Sequence, residues 1–473
     1  MKHTWVFLPE DHCYTLQDLP YCANPTNPAL QTLHIYVPER FLRADGSLDR
    51  EYRFRTRSGA LYTADTVPVI LYNDIGGYSE CRAAGLTRRN RRFLQDGYVL
   101  VSVGARGRQT RDADGRLCGK APAGLVDLKA AVRWLRRHRE ELPGDYDTII
   151  SVGTSAGGAT SALLGITGNC ADYAPYLADI GAEQERDDIF AAQCYCPIAD
   201  LAHADMAYEW MFGGKQISTR GAGEPPHVMT AEERACSAAL AAAYPAYLNR
   251  LNLGRELGPD GRSGSFYADI LERIGDSLTD FLQREAEDEA HRLALLEELN
   301  AGSDLFTWQG GRARVRDLDQ YVRLYIGRMK PCPAFDTSGC DSFENQEFGG
   351  AEQDFLHFSS ATADALEACG QAEAAACYRA GAMAEPVRRR VALMDQIGRL
   401  QDLRGCTPAS HFRIRLGSRD ADTSFAIGYS LYLALKAAGL DADYGLVWGM
   451  GHCDADYPGD FSAWVDRVAA QKN

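Results

Sequence analysis

The apolar positions of the 473-residue chain follow a strand-and-helix rhythm that begins near residue 67. Short apolar runs, VPVILYN, GYVLVSVGARG and YDTIISVG, are separated by two stretches in which apolar residues recur at helical spacing. This alternation is typical of βαβ units, and strands that are apolar on both faces are typical of the centre of a parallel sheet. The earlier segments LQTLHIYVPERFL and EYRFRTRSG predict exposed antiparallel strands that lead into that sheet.

The pattern changes after the apolar strand in IFAAQCYCPIADL, where helical spacing broken by Gly- and Pro-rich turns takes over. In one stretch, apolar residues recur every four positions, which predicts a helix with one buried face. These residues are Ile270, Ile274, Leu278 and Leu282. Strand patterns resume with HFRIRLG and end with YGLVWGMG. We predict an α/β fold, a mostly parallel sheet with helices on both faces, in three segments: a first part, residues 1–204, a helical lid inserted before the last strands, residues 205–405, and a last part, residues 406–473.

Composition and charge narrow the class of protein. The net charge of -15 is spread along the chain, which argues against a nucleic-acid partner. We find neither a secretory signal nor a run of about 18 apolar residues that could span a bilayer, so we expect a cytoplasmic protein without membrane contact. The 14 cysteines show no zinc-type spacing, and we expect mostly buried, reduced thiols in a monomer.

The stretch YDTIISVGTSAGGATSALLG contains a candidate nucleophile. Ser155 lies between Gly153 and Gly157, after an apolar strand and before a helix. This is the nucleophile-elbow pattern of α/β hydrolases, in which a serine occupies a strained turn and nearby glycines let the backbone pass closely. The alternative interpretation is an ordinary Gly-rich turn.

A serine nucleophile needs a histidine as base, held by a carboxylate, and in this fold the chain order is serine, acid, histidine. Four of the ten histidines precede Ser155, four lie in or beside the helical segment, and His411 opens a strand. His452 alone follows the final strand, in the loop WGMGHCDADYPG, and is the predicted base.

The acid is expected after the penultimate strand, where HFRIRLGSRDADTS offers two carboxylates. Asp420 comes first and is the predicted acid, with Asp422 as the alternative. Either aspartate could instead serve the following helix, and Asp422 or Thr423 would suit its N-cap.

An oxyanion hole requires backbone donors aimed at the developing negative charge. The N–H of Ala156, directly after the nucleophile, is one candidate. The loop YNDIGGY after the first parallel strand offers Gly76 or Gly77 as the second, although such a sequence also suits a tight turn.

Several motifs in order along nearly the whole chain, GTSAGG, RMKPCPAFD, FENQEFGG, SRDADTS and GMGHCDADYPGD, resemble those of bacterial tannases, which cleave galloyl esters. The resemblance implies a triad and a set of side chains that bind the three galloyl hydroxyls. The implied triad is Ser155, Asp420 and His452, and the implied hydroxyl-binding residues are Lys330, Glu344 and Asp422. Fungal-type tannases and feruloyl esterases join cysteines beside the nucleophile and the base, whereas here Cys453 follows His452 but Thr154 precedes Ser155.

These patterns together predict a serine esterase that hydrolyses galloyl esters and depsides and releases gallic acid through an acyl-enzyme. Its partners are small-molecule galloyl esters and gallic acid, and it needs no metal or organic cofactor. The alternatives are a feruloyl-type or other carboxylesterase or a serine peptidase on the same fold, and a catalytically silent binding protein.

Overall fold

The computed structural model describes residues 4–43, 45–56, 58–219 and 225–472. Its strands are short in the N-terminal part and regular in the centre. They are β1 Val6–Leu8, β2 Cys13–Pro20, β3 Thr32–Pro38, β4 Phe54–Arg55, β5 Leu61–Tyr62, β6 Pro68–Asn73, β7 Val99–Val103, β8 Asp145–Thr154, β9 Ala191–Tyr195, β10 Ile217–Ser218, β11 His227–Val228, β12 Phe306–Gln309, β13 Arg312–Val315, β14 His411–Gly417 and β15 Asp441–Val447.

In this part of the chain, nine strands form one sheet in the order β1-β2-β3-β7-β6-β8-β9-β14-β15. The six strands from β7 to β15 in that order are parallel, and β1, β2 and β3 extend the sheet with antiparallel pairs. Strands β6, β7 and β9 are buried throughout. The predicted α/β fold with a mostly parallel sheet is therefore confirmed.

The segment EYRFRTRSG does not join the main sheet, so that part of the prediction is wrong. Phe54–Arg55 pairs with Leu61–Tyr62 in a separate two-stranded sheet. Gly59, with a φ of 98°, lies in the turn that folds this segment back on itself after only two strand residues. The strands β1 and β2, which the sequence analysis did not predict, occupy the edge of the main sheet instead.

The helices cover both faces of the sheet and fill the insertion. They are α1 Arg88–Gln95, α2 Ala123–Arg137, α3 Ala156–Ile166, α4 Ala174–Asp179, α5 Leu201–Phe212, α6 Ala231–Arg250, α7 Ser265–Glu285, α8 Glu289–Asn300, α9 Leu318–Tyr321, α10 Phe343–Glu347, α11 Ser360–Ala368, α12 Ala372–Met383, α13 Glu385–Met394, α14 Gln396–Gln401, α15 Phe425–Ala437 and α16 Asp460–Ala469. None of these helices combines the length and the apolar character that a membrane crossing requires. The 14 cysteines all lie in the described ranges and have free thiols.

The insertion between β9 and β14 contains α5 to α14. The predicted one-faced helix is α7, whose four apolar residues at the predicted positions are fully buried. The insertion also contains the hairpins β10–β11 and β12–β13, which helical spacing did not reveal. Gly310 and Gly311, at φ values of 59° and 78°, form the tight turn of the second hairpin. The bounds 205 and 405 remain our proposal for the lid.

Candidate active site

Ser155 occupies a strained turn between β8 and α3, with φ 62° and ψ -124°. A positive φ is unfavourable for a residue with a Cβ atom and persists only where the surroundings enforce it. A Cβ on Gly153 would lie 2.4 Å from the carbonyl oxygen of Gly157, and one on Gly157 would lie 2.5 Å from Oδ1 of Asn73. The glycines therefore let the turn close and leave the Ser155 side chain at the carboxyl edge of the sheet.

His452 and Asp420 form a hydrogen-bonded pair at the same edge. Nδ1 of His452 lies 2.9 and 3.0 Å from the two carboxylate oxygens of Asp420, so it carries the proton and donates it. Asp420 is fully buried and also accepts from the N–H groups of Asp422 and Thr423. Burial alone would lower the pKa of His452, but the Asp420 carboxylate outweighs this effect and raises it.

The other ring nitrogen of His452, Nε2, is buried and has no hydrogen-bond partner in the described chain. The loop that carries His452 is hydrogen-bonded to the turn that carries Ser155, because the Thr154 hydroxyl donates to the Asp454 carboxylate. Arg89 donates to the same carboxylate at 2.7 Å. The residue before Ser155 is thus bonded to the second residue after His452, which brings the serine and histidine turns together.

The two predicted oxyanion-hole segments also lie against each other. The N–H of Gly157 donates to the carbonyl of Ile75 at 2.8 Å, which holds the loop after β6 on the elbow. Within the described ranges, the N–H groups of Ala156, Gly76 and Gly77 donate to no protein acceptor. They are therefore available to a negatively charged oxygen.

Lys330, Glu344 and Asp422 converge beside the His452–Asp420 pair. Nζ of Lys330 lies 3.9 Å from Oδ1 of Asp422, and both side chains are partly exposed. Glu344 is buried; burial raises the pKa of its carboxyl, and Lys330 opposes this effect. Asp422 raises the pKa of His452 and Lys330 lowers it, so both charges lie near the base. Glu344 lies near Lys330, whose charge acts on its carboxyl.

Two side chains that the sequence analysis missed hold this arrangement. The buried Tyr208 hydroxyl donates to the carbonyl of Ala421 at 2.9 Å and accepts from the N–H of Lys330 at 3.1 Å. Arg328 donates to the Lys330 carbonyl at 2.8 Å and forms a fully buried ion pair with Glu209 at 2.5 Å. A lone tyrosine or arginine in a helical insertion has no spacing signal that could have revealed these roles.

The two aspartates make different contacts in the structure. Ser424, not Asp422 or Thr423, is the N-cap of α15, with its side chain accepting from the N–H of Ala426. The capping interpretation is therefore wrong. Asp420 rather than Asp422 contacts His452, which leaves the Asp422 carboxylate facing Lys330.

Among the described residues, one group has the chemistry of metal ligands: Cys196, Asp420 and His452, whose ligand atoms lie within 4.8 Å of one another. Burial and the nearby Asp420 carboxylate raise the pKa of the Cys196 thiol, which donates to the carbonyl of Cys453 at 3.3 Å. Cys196 thus lies beside the Asp420–His452 pair and is bonded to the residue that follows His452.

Comparisons with known proteins indicate the class to which this chain belongs. A family profile described as BD-FAE matches residues 62–208. Esterase LipQ of Mycobacterium tuberculosis is 33% identical over 90 residues, and carboxylesterase patB of Aspergillus clavatus is 29% identical over 126 residues. These alignments cover 19% and 24% of this chain, and the chain spans only 20% and 22% of those relatives. The fold and these sequence similarities show that the chain is a carboxylic ester hydrolase with an α/β-hydrolase fold.

Solved structures of bacterial tannases match almost the entire chain. A tannin acyl hydrolase from Lactobacillus plantarum has a TM-score of 0.80 and 33% identity, covering 97% of this chain and 94% of that one. The Fusobacterium nucleatum tannase has a TM-score of 0.80 and 34% identity, covering 97% and 95%. The chain belongs to the bacterial tannase family, as the sequence motifs predicted.

Proposed function

We propose that the protein hydrolyses galloyl esters and releases gallic acid through a Ser155–His452–Asp420 triad. The observation that carries the proposal is the convergence of two carboxylates and one ammonium, Asp422, Glu344 and Lys330, beside the paired histidine and aspartate. A tannin acyl hydrolase that is 33% identical to this chain has been solved in complex with ethyl gallate, which supports the same substrate class here.

In the proposed reaction, Ser155 attacks the ester carbonyl while Nε2 of His452 takes the hydroxyl proton. Asp420 holds the imidazole in the required tautomer and stabilises its charged form. The oxyanion accepts hydrogen bonds from the N–H of Ala156 and from Gly76 or Gly77. His452 then protonates the departing alcohol, and a water activated by His452 releases gallate from the acyl-enzyme.

The acyl group would be recognised through its three adjacent phenolic hydroxyls. Ionised carboxylates accept strongly from such donors, and an ammonium donates to the phenolic oxygens, so Glu344, Asp422 and Lys330 suit this group. A substrate without the hydroxyls would leave these buried or half-buried charges unpaired, which costs binding and transition-state energy.

The test compares kcat/KM for methyl gallate with that for methyl 3,4,5-trimethoxybenzoate, which retains the ester and the ring but lacks every phenolic donor. We expect methyl gallate to be preferred by about 10³-fold or more. An Asp422→Asn variant should narrow that preference. Similar values for the two esters in the wild type would contradict galloyl recognition and favour another carboxylesterase on the same triad.

The activity should decline in acid because a protonated imidazole cannot accept the serine proton. Since the Asp420 carboxylate raises the pKa of His452, the acid limb of kcat/KM should have its midpoint above the ordinary histidine value of about 6.5. An Asp420→Asn variant loses this effect, so its midpoint should move to lower pH as its rate falls. A pH profile of methyl gallate hydrolysis checks both points, and an unchanged midpoint in that variant would contradict the assigned pair.

We extend the proposal to the setting in which the enzyme works: a monomer in the cytoplasm that uses neither metal nor organic cofactor. The composition and the residue patterns of the chain support this setting, and the triad chemistry is complete with protein groups and water.

A further inference from the structure

Arg108, in the loop that follows β7, forms hydrogen bonds to three consecutive residues of the loop after β6. We call that loop, which contains Gly76 and Gly77, the oxyanion loop. Its Nε donates to the carbonyl of Gly77 at 2.8 Å, and one terminal nitrogen donates to the hydroxyl of Ser79 at 3.1 Å. Its backbone N–H donates to the carbonyl of Tyr78 at 2.9 Å. Two of these three hydrogen bonds come from a side chain that is only 6% exposed.

The same guanidinium reaches across to the insertion. Its other terminal nitrogen donates to the side-chain oxygen of Gln346 in α10, and its carbon lies 4.3 Å from the ring centre of Phe343, the first residue of that helix. The Phe343 ring in turn lies on Gly77, where an added Cβ would come within 2.6 Å of a ring carbon. Helix α10 carries Glu344, one of the proposed galloyl-binding residues.

We propose that Arg108 is a positioning residue that couples recognition of the galloyl group at α10 to the geometry of the oxyanion hole. The inference rests on the proposed function, because it assumes that the loop after β6 donates to the oxyanion. An oxyanion donor acts only when it is held within about 0.5 Å of its productive position, about 3 Å from the charged oxygen, and a fork of hydrogen bonds supplies that rigidity. Because the rigid, planar guanidinium contacts both segments, a displacement of α10 displaces the loop as well.

Arg390 provides a matched control. It also donates from the insertion side to the end of α10, to the carbonyls of Phe348 at 3.3 Å and Gly349 at 2.5 Å. Within the described chain it makes no hydrogen bond to residues 76–79. Arg108 thus bonds to α10 and to the oxyanion loop, whereas Arg390 bonds to the two residues that directly follow α10.

The experiment measures kcat and KM of Arg108→Met and Arg390→Met with methyl gallate and with p-nitrophenyl acetate, which has no phenolic hydroxyl. Arg108→Met should lower kcat for both esters by about 10²-fold, the scale of losing one oxyanion donor. Arg108→Lys keeps the charge without the fork and should recover little of that loss. Arg390→Met should leave acetate hydrolysis within about twofold of the wild type and change methyl gallate kinetics mainly in KM.

A further variant tests the coupling itself. Gln346→Met cuts the side-chain link to α10 and leaves the bonds from Arg108 to the loop, so kcat should fall more for methyl gallate than for the acetate. Equal loss in the Arg108 and Arg390 variants, in step with their melting temperatures, would overturn the proposal, as would an Arg108→Met effect on KM alone. If the wild type hydrolysed p-nitrophenyl acetate but not methyl gallate, the proposed galloyl function would be wrong. The kinetics with the acetate would still test the role of Arg108.

Discussion

Replacing Ser155 with alanine should reduce kcat for methyl gallate by about 10⁴- to 10⁶-fold, the loss expected when a serine hydrolase loses its nucleophile. The change removes the hydroxyl that forms the acyl-enzyme in the proposed reaction. The residual rate would come from the oxyanion donors and from binding of the galloyl group. The measurement is single-turnover and steady-state hydrolysis of methyl gallate followed by release of gallic acid.

The fold should survive this change, because the Ser155 side chain makes no capping hydrogen bond to α3. Ser161 is a suitable control in the same helix, since its hydroxyl is fully buried and bonded to Asn73 and Ser151, both at 2.9 Å. Ser161→Ala should lower the melting temperature and retain hydrolysis. Activity above about 1% of wild type in the Ser155 variant would contradict the assigned nucleophile, because triad loss normally costs far more.

Replacing Arg328 with methionine should lower the free energy of unfolding by about 3–5 kcal/mol, because it leaves the carboxylate of Glu209 buried without its partner. Both side chains are fully buried. Arg328 also donates to the carbonyls of Lys330 and Pro331, each at 2.8 Å, so the loop that carries the proposed galloyl ammonium loses its support. KM for methyl gallate should rise in the same variant. Urea unfolding and steady-state kinetics measure the two effects.

A double variant separates stability from positioning. Glu209→Gln combined with Arg328→Met removes the unpaired charge and keeps an acceptor for the Ser237 hydroxyl, which lies 2.6 Å from Glu209. Most of the lost stability should return, whereas the raised KM should persist because the Lys330 loop remains unsupported. If KM recovered together with stability, Arg328 would have no positioning role.

The sequence predicted those features that follow local rules. The βαβ rhythm predicted the central strands. Loops at the carboxyl ends of parallel strands meet at one edge, so chain order indicated His452 together with Asp420 or, as the alternative, Asp422. The structure shows His452 and Asp420 in hydrogen-bond contact. The spacing of the four apolar residues in α7 predicted its buried face for the same local reason.

Features that depend on contacts between distant segments escaped the sequence analysis. The hydrogen bonds of Tyr208 and Arg108 join residues far apart along the chain, and no spacing rule connects them. The segment around Phe54 had the composition of a sheet strand but turns back after two residues. Hairpin β12–β13 was missed because its four-residue strands are too short to interrupt a helical pattern.

The position of the insertion determines when the enzyme can first act during its synthesis. Strands β9 and β14 are neighbours, with the N–H of Cys196 donating to the carbonyl of Arg415 at 2.7 Å, yet the whole lid separates them in the chain. Doubling the length of such a closed loop costs only about 0.6 kcal/mol, so a long lid is thermodynamically tolerable, although pairing across it slows folding. A nascent chain that has emerged only as far as residue 405 lacks Asp420 and His452, the proposed acid and base. Under the proposed triad, ester hydrolysis therefore begins only after the last two strands have left the ribosome and joined the sheet.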